Sequence, residues 1–180
     1  MTGGEIALYG FSGDSMDAVL AKLREAGGLI DERGDGLTLS APGRLRAVDV
    51  FTQPYPGFPT DMQAQMMALC CVAEGTSIIV ENVFESRFSH AAQLVRTRAA
   101  ITVHHRTAAV RRRRLTGARV SARHLTARPA PALAALAAAG LPGVANITPT
   151  RRALPRVRDD ARPLAARVTH RATICERDAP

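Results

Sequence analysis

A proline-rich segment that leads into a helix constrains this chain more than any other part of its sequence. Residues 54–59 read Pro-Tyr-Pro-Gly-Phe-Pro, and Thr60 follows directly. Each proline fixes its own φ and biases the preceding residue toward extended geometry, so the loop has few accessible shapes. Thr60 and Gln63 have the spacing of a capping box, which predicts that Thr60 caps a helix over 60–73. Asp61 then lies on the first turn, where the helix dipole favours a carboxylate.

Two interpretations of Asp61 are open at this point. A carboxylate that a stiff loop holds at the start of a helix could bind a hydroxyl group or accept its proton. Acidic residues are also common in first turns simply because they interact well with the helix dipole. The spacing alone does not distinguish a functional Asp61 from a structural one.

The hydrophobic pattern predicts helices and strands in alternation, together with an internal repeat. The predicted elements are helices over 15–26, 60–73 and 89–98, a hairpin over 29–39, and strands over 48–51, 76–83, 101–103 and 107–110. Helix 18–26 and the strand start at 28–30 align with helix 89–97 and the strand start at 99–101, at an offset of 71 residues. A second set of matches has an offset near 65. These repeats predict an α/β (α+β) domain built from copies of one supersecondary unit.

Two stretches of the sequence resemble one family of enzymes. PGFPTDMQAQ at 56–65 and AEGTSIIVENVFESRF at 73–88 resemble the UDP-N-acetylglucosamine 1-carboxyvinyltransferases. These enolpyruvyl transferases of peptidoglycan synthesis move the enolpyruvyl group of phosphoenolpyruvate onto the 3-hydroxyl of the sugar. The resemblance implies an inside-out α/β barrel, with helices gathered inside and sheets outside. It covers the C-terminal part of the family's chain, so we expect one incomplete domain of that fold.

The resemblance also implies substrate-binding roles for four residues. Asp61 corresponds to the family's aspartate that contacts the sugar hydroxyl and is assigned as its base. Val83 corresponds to the residue whose backbone meets the nucleotide-sugar, and Arg87 to an arginine that lines the cleft, where a planar guanidinium suits an anion. A surface arginine at the end of a strand is the alternative reading of Arg87. Arg152 corresponds to an arginine that helps to hold phosphoenolpyruvate, although the surrounding residues 148–155 differ from the family pattern.

Other features depart from the family. Nothing in the sequence corresponds to the family's first domain, which carries a Lys-Asn pair, a cysteine acid and a phosphate-binding arginine. Cys70 and Cys71 lie in an apolar run, so we expect them to pack in the core rather than to replace that cysteine. His124 and Thr126 stand where the family has the aspartate and arginine of an active-site pair. We therefore expect the isolated chain to be inactive and its partner to be a separate first-domain chain.

The resemblance weakens along the chain. We expect a single domain over 1–180, well matched over 1–110, and diverged and basic over 111–180. Pro129 and Pro131 are expected to interrupt a helix of the family fold, because proline inside a helix removes a backbone donor. The sequence leaves open whether this second part is well ordered.

Charge is distributed unevenly. Residues 1–90 carry a formal charge of −6 and residues 91–180 carry +14, and all basic residues except Lys22 are arginine. The consecutive arginines at 111–114 could attract phosphate backbones by releasing counterions. No base-stacking aromatic residues accompany them, which favours a solvated turn, so nucleic-acid binding is not expected.

Several further classes of site and location are not expected. The five histidines are scattered without cysteine or carboxylate at ligand spacing, so we expect no metal, and no cofactor is implied. The apolar run at 66–73 is too short to span a bilayer, and no secretory signal pattern is present. Adjacent cysteines suit reduced thiols better than a disulfide framework. The default expectation is a cytoplasmic protein that does not contact a membrane.

Two functional hypotheses from different classes result. In the first, the chain supplies the sugar-facing wall of a carboxyvinyltransferase that uses UDP-N-acetylglucosamine and phosphoenolpyruvate. In the second, it is a non-catalytic remnant or basic interaction protein that binds acidic partners. Salt-dependent retention on DNA that is lost on replacement of the arginines at 111–114 would favour the second.

Overall fold

The computed structural model describes residues 4–10, 16–34, 36–121, 129–138 and 143–145. The helices within these ranges are α1 (Asp17–Glu25), α2 (Gln63–Cys70), α3 (Ala91–Arg96) and α4 (Pro129–Ala137). The strands are β1 (Glu5–Tyr9), β2 (Leu29–Arg33), β3 (Gly36–Ser40), β4 (Val50–Phe51), β5 (Thr76–Val80), β6 (Ala100–His104), β7 (Thr107–Arg111), β8 (Arg119–Ser121) and β9 (Gly143–Ala145). Short 3₁₀ turns over Thr60–Met62 and Arg87–His90 precede α2 and α3. Each helix and strand predicted above is present, with ends that differ by a few residues.

The strands of the described residues form three sheets. Their orders are β1-β3-β2, β4-β5-β7-β6 and β8-β9. β4 pairs with β5 and β8 with β9 in parallel, and α2 and α4 respectively connect these pairs; the remaining pairs are antiparallel. The expected α/β fold is confirmed. The described residues do not form a closed barrel.

Helix α2 lies in the interior of the molecule. It packs against α4 and against strands β5 and β7, and α4 also packs against α3. Met67, Ala68 and Cys70 of α2 are fully buried beside Ile79 of β5 and Leu94 of α3. Side chains of α2 are therefore buried on several faces, as in a helix that neighbouring elements surround. Helices on the inside and sheets around them agree with the arrangement that the resemblance implied.

The predicted repeat extends through both hairpins. A shift of 71 residues carries β1-α1-β2-β3 onto β5-α3-β6-β7, and the sheet orders β1-β3-β2 and β5-β7-β6 correspond. The shift also preserves the strand register, because the pair Glu5↔Ser40 becomes Thr76↔Arg111. The two units are therefore copies in topology and in pairing.

Backbone conformation repeats as well. Gly27 has φ +97° and its equivalent Arg98 has φ +66°, and each follows a helix that ends in a Schellman motif. In the first unit the N–H of Gly28 donates to the carbonyl of Leu23 at 2.9 Å; the matching bond in the second unit, from Ala99, is 3.3 Å long. The left-handed conformation at both positions is thus required by the way in which the helix ends.

The expectation that proline interrupts the fourth helix is wrong. α4 begins at Pro129, and Pro131 is fully buried in its first turn. The first turn of a helix needs no backbone N–H donor, so proline is tolerated there.

Candidate substrate-binding site

The structure brings Asp61 and Arg87, two of the four residues singled out by sequence, into direct contact. The guanidinium of Arg87 donates to Oδ1 of Asp61 across 26 positions of sequence. The same guanidinium lies over the ring of Phe84, with its central carbon 4.7 Å from the ring centroid. The side chain of Asp61 is 68% exposed and that of Arg87 only 20% exposed. A stacked, half-buried arginine therefore holds an exposed carboxylate at the surface.

Thr60 does not cap the helix as the sequence predicted. Neither the 3₁₀ turn nor α2 has a side-chain cap, and the hydroxyl of Thr60 instead donates to Oε2 of Glu81 at 2.8 Å. Gln63 is fully buried, and its Nε2 has no hydrogen-bond partner within the described residues. The capping box is wrong because a buried carboxylate is a stronger acceptor for the threonine hydroxyl than a backbone arrangement that needs the same side chain.

Glu81 is the centre of the hydrogen bonding behind the site. Its side chain is buried and accepts from the hydroxyls of Thr52 and Thr60, both at 2.8 Å. It also accepts from the backbone N–H groups of Val83 at 3.0 Å and Phe84 at 3.1 Å. These donors come from the end of β4, from the turn that carries Asp61, and from the loop that leads to Arg87. One carboxylate therefore fixes the relative positions of all three segments.

Hydrogen bonding decides the ionisation of Glu81. Burial alone raises the pKa of this carboxyl, but the bonds from Phe84, Thr60, Thr52 and Val83 together outweigh it, so the pKa lies below its ordinary value. The carboxylate is thus ionised at neutral pH. Sequence reasoning missed Glu81, and the available signal was a single acid placed directly after the apolar strand Thr76–Val80.

Val83 lies next to this network, and Arg152 lies outside the described residues. Val83 is half-buried, and its N–H is engaged with Glu81. His124 and Thr126 are also outside the described residues. The described part of the chain therefore positions Asp61, Val83 and Arg87 along one pair of loops.

The sequence profile of the family described as EPSP synthase (3-phosphoshikimate 1-carboxyvinyltransferase) matches residues 1–160. The chain belongs to the EPSP synthase family. Curated relatives agree with this assignment. The chain is 45% identical over 174 residues to the UDP-N-acetylglucosamine 1-carboxyvinyltransferase of Nitratidesulfovibrio vulgaris (strain DP4), covering 96% of this chain and 42% of that protein. It is 44% identical over 170 residues to the enzyme of the same name from Desulfovibrio desulfuricans, covering 93% and 41%. The chain thus spans less than half the length of the relatives it matches.

Solved structures of the EPSP synthase family share the fold. The enolpyruvyl transferase NikO from Streptomyces tendae superposes with a TM-score of 0.77 at 25% identity, over 93% of this chain and 40% of that one. An EPSP synthase from Acinetobacter baumannii superposes with a TM-score of 0.59 at 16% identity, over 79% and 35%, which supports the fold alone.

Behind the site of this EPSP synthase family chain lies a buried imidazole. His90 is 3% exposed, and neither ring nitrogen has a hydrogen-bond partner within the described residues. Burial lowers the pKa of His90 to about 4; the nearby Arg87 carbonyl opposes this shift without reaching hydrogen-bond geometry. His90 is therefore neutral at physiological pH and acts as a packing residue.

The two cysteines of α2 and its end are packing residues as well. Cys70 and Cys71 are buried free thiols. Burial raises the pKa of both thiols, that of Cys71 to about 12, so neither is a thiolate at neutral pH. The expectation that they do not replace the family's cysteine acid is consistent with this burial.

The remaining charged and apolar features of the described region do not add a second site. Arg111, Arg112, Arg113 and Arg114 are all exposed, and Arg112 pairs with Glu74 at 3.4 Å. None of the described helices has the length and apolar character needed to cross a bilayer. Within the same ranges no three His, Cys, Asp or Glu side chains are grouped as metal ligands.

Proposed function

We propose that the chain forms the sugar-binding wall of a UDP-N-acetylglucosamine 1-carboxyvinyltransferase. Such an enzyme transfers the enolpyruvyl group of phosphoenolpyruvate to the 3-hydroxyl of the sugar and releases inorganic phosphate. The observation that carries the proposal is the contact between Asp61 and Arg87 on two loops that Glu81 ties together. The identity of 45% to relatives of that name supports the choice of substrate over other enolpyruvyl acceptors.

The chemistry that we assign to this wall is proton removal and positioning. In the transfer, the sugar oxygen forms a bond to C2 of the enolpyruvyl group, the bond from C2 to the phosphate oxygen breaks, and the hydroxyl proton passes to a base. Asp61 is the base in this proposal, because its carboxylate is exposed and acts only if held within hydrogen-bond reach of the hydroxyl. Arg87 binds one of its oxygens and so orients the other.

Val83 contributes through its backbone. Its N–H is engaged with Glu81, so a contact with the nucleotide-sugar falls to its carbonyl oxygen. Arg152 as a phosphoenolpyruvate ligand stays a prediction, as do a partner chain that carries the first domain, a cytoplasmic location and the single domain over 1–180. The comparisons do not favour the alternative of a basic interaction protein.

Binding of UDP-N-acetylglucosamine to this chain tests the proposal. We expect saturation-transfer NMR to show contact between the sugar ring protons and the wild-type chain. Asp61→Asn should weaken the affinity about tenfold, because a hydrogen bond to a charged group is replaced by a neutral one.

Asp31→Asn is the matched control. Asp31 is also exposed and pairs with an arginine, Arg33, at 2.7 Å, but it lies on β2 in the other sheet. It should leave the affinity unchanged. Equal weakening by both substitutions, or no binding by the wild type, would contradict the proposal.

A further inference from the structure

The free edge of β1 differs from its counterpart in the repeat. β1 corresponds to β5, and β5 has two neighbours, β7 on one side and β4 on the other. Within the described residues β1 has only β3, the counterpart of β7. The parallel neighbour that β4 provides in the second unit has no described counterpart in the first. An unpaired strand edge presents backbone donors and acceptors that a further strand can pair with.

The turn that precedes β1 is the turn that follows a helix in the other unit. Gly4 has φ +113°, and Gly75, which is 71 residues later, has φ +110°. Gly75 connects the end of the α2 segment to β5, and Glu74 beside it bonds back to the β4 segment through Ala47 and Leu45. The backbone therefore enters β1 in the conformation with which it leaves a strand–helix segment.

Exposure of apolar side chains points to the same missing cover. Ile6 and Leu8 lie on one face of β1 and are each 41% exposed. Their counterparts on β5, Ser77 and Ile79, are fully buried, since β4 and α2 cover that face. Exposed leucine and isoleucine at positions that the repeat buries indicate a surface built to be covered.

We infer that the β1 edge, defined here as residues 4–9, binds a strand–helix segment of the family's own fold. The bound strand runs parallel to β1 beside Leu8 and Tyr9, as Val50 and Phe51 run beside Ile79 and Val80. The bound helix covers Ile6 and Leu8, and its C-terminal end reaches Gly4. The relatives have more than half of their length outside the matched region, which is long enough to contain such a segment. This inference concerns the fold and does not depend on the sugar-binding proposal.

Hydrogen exchange on the full chain tests the inference. The probe is the Nitratidesulfovibrio vulgaris relative from which the region matching this chain has been removed, expressed as a separate polypeptide. We expect the two chains to co-elute, and the amides of residues 5–9 to exchange at least tenfold more slowly in the complex than in the chain alone. Failure of the chains to associate, or association without protection of residues 5–9, would overturn the inference.

A pair of substitutions locates the contact. Leu8→Thr keeps a strand-forming residue but removes apolar surface, and should weaken association about fivefold to tenfold. Val103→Thr is the control, because Val103 is also 41% exposed and lies on β6, the edge strand of the other sheet. Equal effects of the two substitutions contradict the assignment. Protection of residues 5–9 in the chain alone, with the mass of a dimer, would assign the edge to a second copy and contradict it equally.

Discussion

Glu81 ties the candidate site together because its carboxylate accepts from two threonines and two backbone amides that belong to three separate segments. A buried carboxylate with this many donors is stable only while all the donors stay paired. The positions of Asp61 and Arg87 therefore depend on a side chain that contacts neither of them directly.

Replacing Glu81 by glutamine should be costly although the shape is kept. The amide has one acceptor oxygen, and its NH₂ group faces hydroxyl or amide donors, so at least one donor loses its partner. We expect a loss of about 2–3 kcal/mol in the free energy of unfolding, measured by urea denaturation. Glu85→Gln, in the same loop but exposed, should change it by less than about 0.5 kcal/mol. Similar losses in both variants would show that the network contributes little.

His90 should make stability depend on pH. Its folded-state pKa is about 4, against an ordinary value of 6.5, so the unfolded chain binds the proton first. The stability that the neutral imidazole provides is complete above pH 6.5 and is lost as the pH falls toward 4. Between pH 7 and pH 5 we expect a loss of about 2 kcal/mol.

The pH effect is checked by urea denaturation at several pH values. His90→Leu should flatten the profile between pH 5 and 7, whereas His104→Gln, at an exposed position, should leave it as in the wild type. A slope that persists in His90→Leu would assign the dependence to another group.

Sequence could predict the functional residues but not their support. Asp61, Val83 and Arg87 stand within motifs that resemble a known family, so local text was sufficient. Glu81 was missed because its burial depends on Thr52 and Thr60, which are 29 and 21 positions away in sequence. The capping prediction for Thr60 was wrong for the same reason, since a distant acceptor competed with the local one.

At the scale of elements, the two copies of the helix–hairpin unit solve one backbone problem with different residues. The first copy places Gly27 and Gly34 at left-handed positions, and the second places Arg98 and His105 there. L-residues with side chains pay about 1–2 kcal/mol in this conformation, which glycine avoids.

Opposite substitutions at equivalent positions should therefore have opposite effects. Arg98→Gly should raise the free energy of unfolding by up to about 1 kcal/mol, and Gly27→Ala should lower it by about 1 kcal/mol. A methyl group at Gly27 meets no atom within 4 Å, so the cost is one of backbone conformation alone. Thermal unfolding of the two variants measures both effects. Destabilisation by Arg98→Gly would contradict the shared-conformation account.

The elements themselves were largely predictable because their signals are local. Helix spacing and a following glycine indicated α1, and alternating apolar residues about a turn indicated the hairpin of β2 and β3. The parallel pairing of β4 with β5 depends on contacts between separate segments, and periodicity carries no information about it.

At the scale of the whole molecule, three sheets surround helices that pack on one another, and the candidate site lies on loops at the end of one sheet. Periodicity predicted the elements and the repeat, but the inside-out arrangement came from the resemblance alone. Nothing in local spacing states whether a helix lies between sheets or outside them. The account joins both levels in one claim: this chain presents the sugar-facing carboxylate, and transfer requires a second wall that brings the oriented acid and phosphate-binding groups.

Phosphate release from phosphoenolpyruvate in the presence of UDP-N-acetylglucosamine tests that claim most directly. We predict no release by the isolated chain above the level of its Asp61→Asn variant. Release should begin when the complementary part of the Nitratidesulfovibrio vulgaris relative is added, and should fall at least a hundredfold with Asp61→Asn in the same mixture. Turnover by the isolated chain, or turnover in the mixture that Asp61→Asn leaves unchanged, would contradict the account.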